Sequence, residues 1–419
     1  MIVSKTYCPL PFNHLYVHPT NMSSVCCAFR KGEENAANLP NIKDYENLGD
    51  HLNHPFLKDI QQKMLKGEKV RGCATCYYAE EHGYQSMREK EIETWHIETF
   101  RDFTPPDLDN PKLEFLEMTF GNYCNLACRT CHSDLSHSWI DDEKELKKRG
   151  LMNKTEGHTK RINIEKDWHS DDFKDLQYIK ITGGEPMLHP DFPKFMEKLE
   201  QENVYCFIFT NASWVPKKRI FDMMKNFKFL QVFLSIDGTG TVHEYMRHNS
   251  VWDTTEKSAR KWLKWSTERN NVQISWAPTW SLMNANYYIE TCNWWLNLTE
   301  EMLKVEYKNR EKWGLVKTNF IYGPAWYQMS LLSNKDELKQ KALDYIEELK
   351  NSSVSGVHQI IDMTEAYIKF FDKDDRESEQ NLKKYYKITD ALDDIRGQSL
   401  KKMIPLTYEA MYNRTEGEK

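Results

Sequence analysis

Three closely spaced cysteines are the feature of this sequence best suited to chemistry. Cys124, Cys128 and Cys131 follow the pattern Cys-x3-Cys-x2-Cys. Three thiolates on one short loop can bind three irons of a cubane cluster and leave the fourth iron without a protein ligand. An iron with an open position is a site for chemistry. The spacing leaves one alternative, a zinc site completed by His132.

A predicted strand stands before this loop, and a second predicted strand ends in another motif. Residues 113–120 are rich in apolar and aromatic side chains that partly alternate with glutamate, which is typical of a strand. The second strand, at 176–182, is followed by four residues suited to ligand binding: Gly183, Gly184, Glu185 and Pro186. Two glycines let the backbone approach a ligand closely, and the carboxylate can accept from an ammonium group. A plain turn is the alternative.

Polar residues also follow the third and fourth predicted strands, at 204–209 and 230–236. Asn211 can contact a ligand or close a turn, and the sequence leaves both open. Ser235 and Asp237 are two residues apart and so share one face of a strand, where their oxygens can bond the hydroxyls of a ribose. A capped strand end is the alternative for this pair.

A second group of cysteines lies near the N-terminus, at Cys8, the pair Cys26 and Cys27, Cys73 and Cys76. Neighbouring residues of an extended segment point to opposite faces, so the two members of the pair do not both reach one iron. The predicted set is Cys8, Cys26, Cys73 and Cys76, with Cys27 as the alternative to Cys26. Four thiolates are a complete ligand set for an auxiliary cluster, and a four-cysteine zinc ribbon is the alternative.

The elements that must position these motifs alternate between strand and helix. Two further strands are predicted at 272–276 and 316–322, giving six in all. This order favours βαβ units with a parallel sheet. Helices are predicted near 136–148, 191–202, 335–350, 354–371 and 379–394. Active sites of such folds gather at the C-terminal ends of the strands, where the motifs fall. The predicted fold class is α/β, with a partial (β/α)6 TIM-like barrel.

The sequence divides into four predicted segments. They are a cysteine-rich auxiliary-cluster module at 1–90, a linker at 91–112, the barrel at 113–330 and a helical extension at 331–419, whose residues 413–419 are expected to fray. The extension has no cysteine, so packing or capping is its expected role, and partner binding stays open. Nine of the 13 tryptophans lie from Trp252 to Trp326. They are expected to fill the core, with Trp280 and Trp326 as candidates to line a substrate pocket.

Composition limits the classes of function. The ten cysteines accompany no export signal and no run of about 18 apolar residues, so we expect a cytoplasmic protein that uses cysteine for metals or catalysis rather than disulfides. Cys206 and Cys292 stand apart and are expected to be packed apolar side chains. The net charge of -6 gives no electrostatic argument for nucleic acid or an anionic membrane as partner.

The cysteine triplet after a first strand resembles the radical S-adenosylmethionine (SAM) enzymes. The resemblance implies that the open iron chelates the methionine end of SAM. Gly-Gly-Glu-Pro is similar to the family motif that binds the SAM amino group, and Ser235 to Gly238 resembles the family's ribose contact. Arg247 stands where members often carry an arginine near the site, although a solvated surface arginine is equally expected. Thr130 departs from the aromatic residue that many members carry before the third cysteine.

The N-terminal segment resembles the twitch or SPASM auxiliary-cluster modules that accompany many radical SAM enzymes. The matching residues are Cys8-Pro9-Leu10-Pro11-Phe12, Cys26-Cys27, Cys73-Ala74-Thr75-Cys76, Glu80, Gly83, Ser86 and Arg88. In better known members this module follows the barrel, whereas here it precedes the barrel. The sequence therefore leaves the position of the second cluster relative to the first undecided.

The resemblance implies a radical reaction. An external donor such as flavodoxin or ferredoxin would reduce the 4Fe-4S cluster, and SAM would be cleaved to methionine and a 5'-deoxyadenosyl radical that abstracts hydrogen from a substrate. A peptide or protein is the first substrate hypothesis, and a carbohydrate or small metabolite is the second. A hypothesis of another class is a non-catalytic protein whose metals are structural or relay electrons. The sequence assigns no catalytic residue, and decides neither the fate of SAM nor the oligomeric state.

Overall fold

The structure, a computed structural model, describes most of the chain. The described residues are 6–30, 40–81, 85–98, 107–153, 159–164, 166–302, 316–321, 323–354, 356–372 and 378–412. Across these ranges, no helix combines the length and the apolar character needed to cross a membrane. The chain forms two compact units. The first comprises Met1–Asn122, Ile162–Phe207 and Asn226–Phe229, and the second comprises Tyr123–Arg161, Ile208–Lys225 and Leu230–Lys419.

Short strands and helices alternate along both units. The strands are β1 (His14–Val17), β2 (Ser23–Ser24), β3 (Phe115–Thr119), β4 (Ala127–Cys128), β5 (Tyr178–Thr182), β6 (Tyr205–Thr210), β7 (Phe229–Leu234), β8 (Arg247–His248), β9 (Val272–Trp276), β10 (Thr279–Trp280) and β11 (Asn319–Phe320). The α-helices are α1 (Leu10–Asn13), α2 (Pro55–Leu65), α3 (Ala74–Glu81), α4 (Met87–Glu98), α5 (Ile140–Lys148), α6 (Phe192–Met196), α7 (Lys218–Met224), α8 (Gly240–Met246), α9 (Trp252–Thr267), α10 (Tyr288–Met302), α11 (Lys335–Lys350), α12 (Val357–Phe370), α13 (Ser378–Arg396), α14 (Leu400–Met403) and α15 (Pro405–Tyr412).

A central sheet of mainly parallel strands confirms the predicted α/β class. Among the described residues its strand order is β2-β1-β3-β5-β6-β7-β9, which is an open sheet, as a partial barrel requires. In the first unit, β1 pairs antiparallel with β2 and parallel with β3, and β3 pairs parallel with β5. The cysteine-rich N-terminal segment therefore contributes β1 and β2 to the sheet that contains β3.

The two faces of β1, β3 and β5 differ in character because side chains alternate along a strand. One face is apolar and fully buried, and consists of Leu15, Val17, Leu116, Met118, Ile179 and Ile181. The other face carries polar side chains. The strand register places Tyr16 opposite Glu117, and Glu117 opposite Lys180.

The second unit contains a parallel pair, β7 with β9, and two small ladders. β4 pairs antiparallel with β8, and β10 pairs parallel with β11. The predicted sixth strand at 316–322 is wrong in extent, because Val316 forms only an isolated bridge with Trp276 and the chain then pairs with β10. Pro278 lies between β9 and β10, and a proline has no N–H with which to continue a ladder.

The other predicted elements agree with the structure except for one helix. The predicted strands at 113–120, 176–182, 204–209, 230–236 and 272–276 contain or overlap β3, β5, β6, β7 and β9, and the three predicted C-terminal helices correspond to α11, α12 and α13. The helix predicted at 191–202 is wrong in length, since α6 ends at Met196. The Gln201 side chain donates to the Met196 carbonyl at 3.2 Å, which satisfies an acceptor that a longer helix would have used.

Tryptophans fill the core, as predicted. Trp262, Trp276, Trp280 and Trp295 are among the largest fully buried side chains. Trp280 is thus a core residue rather than a pocket wall. Trp326 is half-buried, and the Lys384 ammonium lies 3.9 Å from its ring centre. The predicted fraying at 413–419, and Gly83 of the N-terminal motif, lie outside the described residues.

Candidate iron-sulfur and SAM site

The cysteine triplet lies in the second unit, on a loop that includes β4. Cys124 is buried, and Cys128 and Cys131 are half-buried. Burial, followed by the neighbouring Cys128 and Cys124, raises the pKa of the Cys131 thiol. Cys124 and Cys128 therefore lie close enough to influence the Cys131 thiol, and deprotonation of all three would need a compensating positive charge such as iron.

Hydrogen bonds from neighbouring side chains fix the backbone around two of these cysteines. The Cys124 N–H donates to His137 Nδ1 at 3.1 Å, and Ser138 Oγ donates to the Cys124 carbonyl at 2.8 Å. Trp139 Nε1 donates to the Cys128 carbonyl at 2.8 Å. His137 to Trp139 precede α5 directly, so the start of this helix anchors the loop.

Arg129 lies within the triplet and connects it to the C-terminal helices. Its side chain is fully buried, and its guanidinium lies 3.7 Å from the ring centre of Tyr245. Nη2 donates to Asp393 Oδ1 at 2.5 Å and to Gln398 Oε1 at 3.0 Å. The Tyr245 hydroxyl also donates to Asp393 Oδ1, at 2.9 Å. The end of α13 therefore binds the cysteine loop directly.

Two polar side chains approach the cysteine sulfurs. Asn211 Nδ2 lies 3.7 Å from Cys124 Sγ and donates to Asn125 Oδ1 at 2.9 Å. Arg247 Nη1 lies 3.8 Å from Cys128 Sγ. Burial raises the pKa of Cys128, and Arg247 opposes that rise. Donors beside thiolates stabilise their negative charge, so both residues suit the surroundings of a bound cluster.

The predicted ribose contacts lie just past β7. Ser235 is half-buried, and Asp237 is fully buried. Asp237 Oδ1 accepts from the Thr279 N–H at 2.8 Å, and Oδ2 forms an ion pair with Arg247 Nε at 2.8 Å. Asp237 therefore holds the arginine that reaches Cys128. Arg247 is buried, unlike the solvated arginine of the alternative prediction.

The zinc alternative for the triplet required His132 as fourth ligand. His132 has a side chain 52% exposed, and its Nδ1 lies 3.7 Å from Asp134 Oδ2. It is therefore turned toward solvent and a surface carboxylate. Among the described residues, no group of three or more His, Cys, Asp or Glu side chains stands at distances that suit a single metal ion.

The Gly-Gly-Glu-Pro motif lies in the first unit, directly after β5. Gly183 has φ +74° and Gly184 has φ +59°, in the left-handed region. A Cβ on Gly183 would stand 2.0 Å from Thr119 Cγ2 at the end of β3. Glu185 is fully buried. Glycine is therefore required at 183 by both the backbone angle and the neighbouring strand.

The N-terminal cysteines of the first unit line one pocket. The pocket is partly open to solvent, and its walls include Cys8, Cys26, Cys73 and Cys76. Burial, together with Cys73, Glu91 and Cys76, raises the pKa of the Cys8 thiol. Apolar side chains complete the walls: Leu10, Val25, Phe29 and Met64. Cys26, rather than Cys27, faces this pocket.

The polar residues of the N-terminal motif form a network behind the pocket. Arg88 donates to Glu80 through Nε at 2.9 Å and Nη2 at 2.6 Å, and through Nη1 to the Tyr7 carbonyl at 2.9 Å. Ser86 Oγ donates to Glu80 Oε1 at 2.6 Å. Arg88 thus connects the residue before Cys8 to the helix that carries Cys76.

Several residues in these sites were not predicted from the sequence. Arg129 and Asp393 meet from positions far apart in the chain, and no local pattern indicates their contact. Glu117 and Lys180 left a signal, because each places a charge in the middle of an otherwise apolar strand. The first unit therefore carries two charged side chains, Glu117 and Lys180, on the neighbouring strands β3 and β5.

No curated protein sequence matches this chain. Among solved structures, native anSMEcpe with bound AdoMet and Cp18Cys peptide matches at 19% identity and TM-score 0.35, over 57% of this chain and 61% of that one. Streptococcus suis SuiB bound to S-adenosylmethionine matches at 13% identity and TM-score 0.34, over 83% and 69%. The chain spans about three fifths of the length of the first of these structures.

A family model gives a defined match within the chain. Residues 118–264 match the model described as the Radical SAM superfamily. The matched region begins in β3, contains the cysteine triplet and Gly-Gly-Glu-Pro, and continues through Asn211, Ser235, Asp237 and Arg247 into α9. Residues 118–264 are therefore similar to the radical SAM superfamily.

Proposed function

We propose that this chain is a radical SAM enzyme that cleaves SAM reductively at a 4Fe-4S cluster bound by Cys124, Cys128 and Cys131. The observation that carries the proposal is a cysteine loop anchored by α5 and α13, with Asn211 Nδ2 3.7 Å from Cys124 Sγ and Arg247 Nη1 3.8 Å from Cys128 Sγ. Each cysteine of a cubane binds a separate iron, so three thiolates suit a cluster with one open iron. When bound, the cluster and SAM supply a 5'-deoxyadenosyl radical that abstracts hydrogen from the substrate.

The residues proposed to bind SAM follow the strands β5, β6 and β7. After β5, the backbone of Gly183, Gly184 and Pro186 approaches the ligand, and Glu185 accepts from its ammonium group. After β6 and β7, Asn211 and Ser235 contribute polar contacts. Asp237 either bonds the ribose hydroxyls or positions Arg247. The second role takes account of its carboxylate oxygens, which already have Thr279 and Arg247 as partners.

An auxiliary iron-sulfur cluster is proposed for the N-terminal pocket. Its ligands are Cys8, Cys26, Cys73 and Cys76, which line one cavity. A zinc ion is the alternative, since four thiolates suit either metal, but these cysteines do not stand at the distances that suit a single metal ion. The N-terminal position of this module, and the boundaries 1–90, 91–112, 113–330 and 331–419, stay predictions.

The substrate and partners are proposals drawn from the resemblance to enzymes with auxiliary clusters. We propose a peptide or protein substrate, with a carbohydrate or small metabolite as the second candidate. The electron donor is proposed to be of the flavodoxin or ferredoxin kind, and the location cytoplasmic. The alternative of another class is a non-catalytic protein whose metals are structural or relay electrons.

The proposal is tested on anaerobically reconstituted, dithionite-reduced protein by iron and sulfide analysis with low-temperature EPR. We expect about eight irons per chain, since each cubane holds four, and a reduced-cluster signal that SAM perturbs. Zinc in place of iron, or a signal indifferent to SAM, would contradict the proposed reaction.

A matched pair of variants makes the same experiment specific for the SAM contact. Glu185→Gln keeps the size of a buried side chain but removes the charge that accepts from an ammonium group, so SAM should bind roughly ten-fold or more weakly. Glu197→Gln changes an exposed carboxylate just after α6 and should leave SAM binding unchanged. Equal SAM affinity in the two variants would show that Glu185 does not bind SAM.

A further inference from the structure

Helix α4 begins at one wall of the N-terminal cysteine pocket. Met87 and Arg88, the first two residues of this helix, line the pocket together with Cys8 and Cys76. The first N–H groups of a helix have no acceptor within the helix. Those of Met87 and Arg88 act as hydrogen-bond donors to the Cys76 thiol. The helix therefore directs its positive end at one of the four cysteines.

A capping box fixes the start of this helix. The Ser86 N–H donates to Glu89 Oε2 at 2.9 Å, and the Glu89 N–H donates to Ser86 Oγ at 3.0 Å. Ser86 is buried, and its Oγ also donates to Glu80 Oε1 at 2.6 Å. Glu80 belongs to α3, the helix that carries Cys76. The cap therefore joins the start of α4 to the helix of a proposed ligand.

Arg88 and Glu80 form a bidentate ion pair beside the pocket. Arg88 Nε donates to Glu80 Oε1 at 2.9 Å, and Nη2 donates to Oε2 at 2.6 Å. Two parallel hydrogen bonds fix the plane of the guanidinium. Its Nη1 donates to the carbonyl of Tyr7, the residue before Cys8, at 2.9 Å. The Arg88 side chain is 10% exposed and that of Glu80 19%, so solvent screens their charges only weakly.

The positive end of this ion pair faces the cysteines. The walls of the pocket include Arg88 but not Glu80, and no other described residue of the walls has a cationic side chain. Arg88 interacts electrostatically with Cys8 and with Cys76. Two carboxylates oppose it, since Glu80 acts on Cys76 and Glu91 acts on Cys8. The charge that the cysteines experience therefore depends on both members of the pair.

The arrangement of the four cysteines suits a cubane. Each cysteine of a cubane binds a separate iron, so the thiols surround the cluster and do not meet at one point. Cys8, Cys26, Cys73 and Cys76 line one pocket but do not stand at distances that suit a single metal ion. A cubane with four thiolate ligands is negatively charged, and reduction adds one further negative charge.

We propose that Arg88 is a positioning residue of this pocket, whose guanidinium, held by Glu80, raises the reduction potential of the proposed auxiliary cluster. The inference rests on that cluster and extends it. Nearby charges and hydrogen bonds to sulfur set the potentials of iron-sulfur clusters. A fixed cation stabilises the reduced, more negative form, whereas a carboxylate destabilises it. Arg88 and Glu80 therefore act on the same potential in opposite directions.

The test uses the full chain with Cys124, Cys128 and Cys131 replaced by alanine, so that the remaining iron belongs to the N-terminal pocket. The protein is reconstituted anaerobically, and dithionite supplies the electron in a redox titration followed by EPR. Arg88→Gln should lower the midpoint potential by about 59 mV or more, which is a ten-fold change for a one-electron couple. Glu80→Gln should raise the potential by a similar amount.

Two further variants distinguish charge from packing. Arg88→Lys keeps the charge but loses the bidentate contact, so it should recover most of the original potential. Arg260→Gln is the matched control, because Arg260 also pairs with two glutamates, Glu256 and Glu301, but its side chain is 39% exposed. Solvent screens that pair, so the potential should stay unchanged. A purely structural contact would not shift the potential in opposite directions in Arg88→Gln and Glu80→Gln.

The outcomes separate the inference from the proposed function. If the triple-alanine chain binds no iron, the auxiliary cluster is wrong and the inference falls with it. If the chain binds about four irons, but Arg88→Gln and Glu80→Gln keep its potential or shift it in the same direction, the inference alone is overturned. If Arg88→Gln loses its cluster, Glu80→Gln decides, since an unchanged potential there overturns the inference and a raised one supports it.

A second measurement does not depend on the triple-alanine chain. In the chain with all its cysteines, the cluster signal that SAM leaves unperturbed is the one assigned to the N-terminal pocket. The opposite shifts of Arg88→Gln and Glu80→Gln should appear in this signal. Their absence from it would overturn the inference.

Discussion

At the scale of single residues, the turn after β5 tolerates only a residue without a Cβ at its first position. Gly183 combines a positive φ with a 2.0 Å approach of any added Cβ to the Thr119 methyl group. Gly150 provides a comparison, since it has φ +70° and nothing within 4 Å of an added Cβ. Substitution of each glycine by alanine therefore distinguishes two free-energy costs. Both variants bear the cost of the backbone angle, and only Gly183→Ala also bears the cost of the Thr119 contact.

We predict that Gly150→Ala lowers the free energy of unfolding by about 1 kcal/mol, the cost of the left-handed angle alone. Gly183→Ala should lower it by roughly 3 kcal/mol, because overpacking against Thr119 adds about 1–3 kcal/mol. Urea unfolding measures both values. Adding Thr119→Ser to Gly183→Ala removes the methyl group and should recover the overpacking part. Equal costs for the two glycine variants would show that the turn accommodates a side chain.

At the scale of elements, helix α13 is part of the surroundings of the cysteine loop. Asp393 accepts from Arg129 and from the Tyr245 hydroxyl, and its Oδ2 accepts from the Leu400 N–H at 2.6 Å. Arg396, at the end of the same helix, lies 4.5 Å from the ring centre of Trp139. The C-terminal helices therefore position the loop that precedes α5, which is more than the packing role expected from sequence.

We predict that Asp393→Asn costs about 3 kcal/mol of stability, because it leaves the buried Arg129 guanidinium unpaired. The unpaired positive charge beside the cysteine loop should also raise the midpoint potential of the reconstituted cluster, since reduction adds negative charge there. The neighbouring Asp394→Asn is the control. Asp394 pairs with Arg149 at the surface, and its side chain is 70% exposed, so its loss should cost less than about 1 kcal/mol.

Redox titration followed by EPR measures the potential, and urea unfolding measures the stability. Asp393→Glu keeps the charge and should restore the potential in part. If Asp393→Asn and Asp394→Asn gave the same potential, α13 would have no electrostatic influence on the loop.

At the scale of the whole molecule, the sequence predicts local features and misses contacts between distant segments. The triplet at Cys124 and the turn at Gly183 were predictable because each follows a strand within a few residues. The choice between Cys26 and Cys27 depends on which face of an irregular segment packs inward, and spacing cannot decide it. Arg129 and Asp393 are 264 residues apart, so only the folded chain brings them together.

The extent of the sheet was also beyond sequence reasoning. β1 has four residues and β2 has two, and strands this short give little alternation to detect. Their place beside β3 comes from tertiary pairing, in which His14 to Val17 align with Phe115 to Met118. The polar face of β1, β3 and β5, which carries Glu117, is therefore evident only once the three strands are paired.

Histidines in both units whose pKa is lowered by full or partial burial give the whole molecule a common response to acid. Burial lowers the pKa of His14 and of His248 to about 4, and that of His51 to about 3. Above pH 6.5 these rings are neutral whether the chain is folded or unfolded. Between pH 6.5 and about 4, the unfolded chain binds protons that the folded chain does not, so stability falls as the pH falls.

We predict a loss of about 1.4 kcal/mol per pH unit for each such histidine across this window, because one pKa unit corresponds to that free energy. Urea unfolding at pH 7, 6 and 5 measures the slope. His51→Gln should make the slope shallower, since the group that titrates only in the unfolded chain is gone. Tyr45→Phe removes the hydroxyl 3.1 Å from His51 Nδ1 but keeps the burial, so it should leave the slope nearly unchanged. A shallower slope in Tyr45→Phe than in His51→Gln would show that the hydroxyl contact, and not burial, sets the acid response.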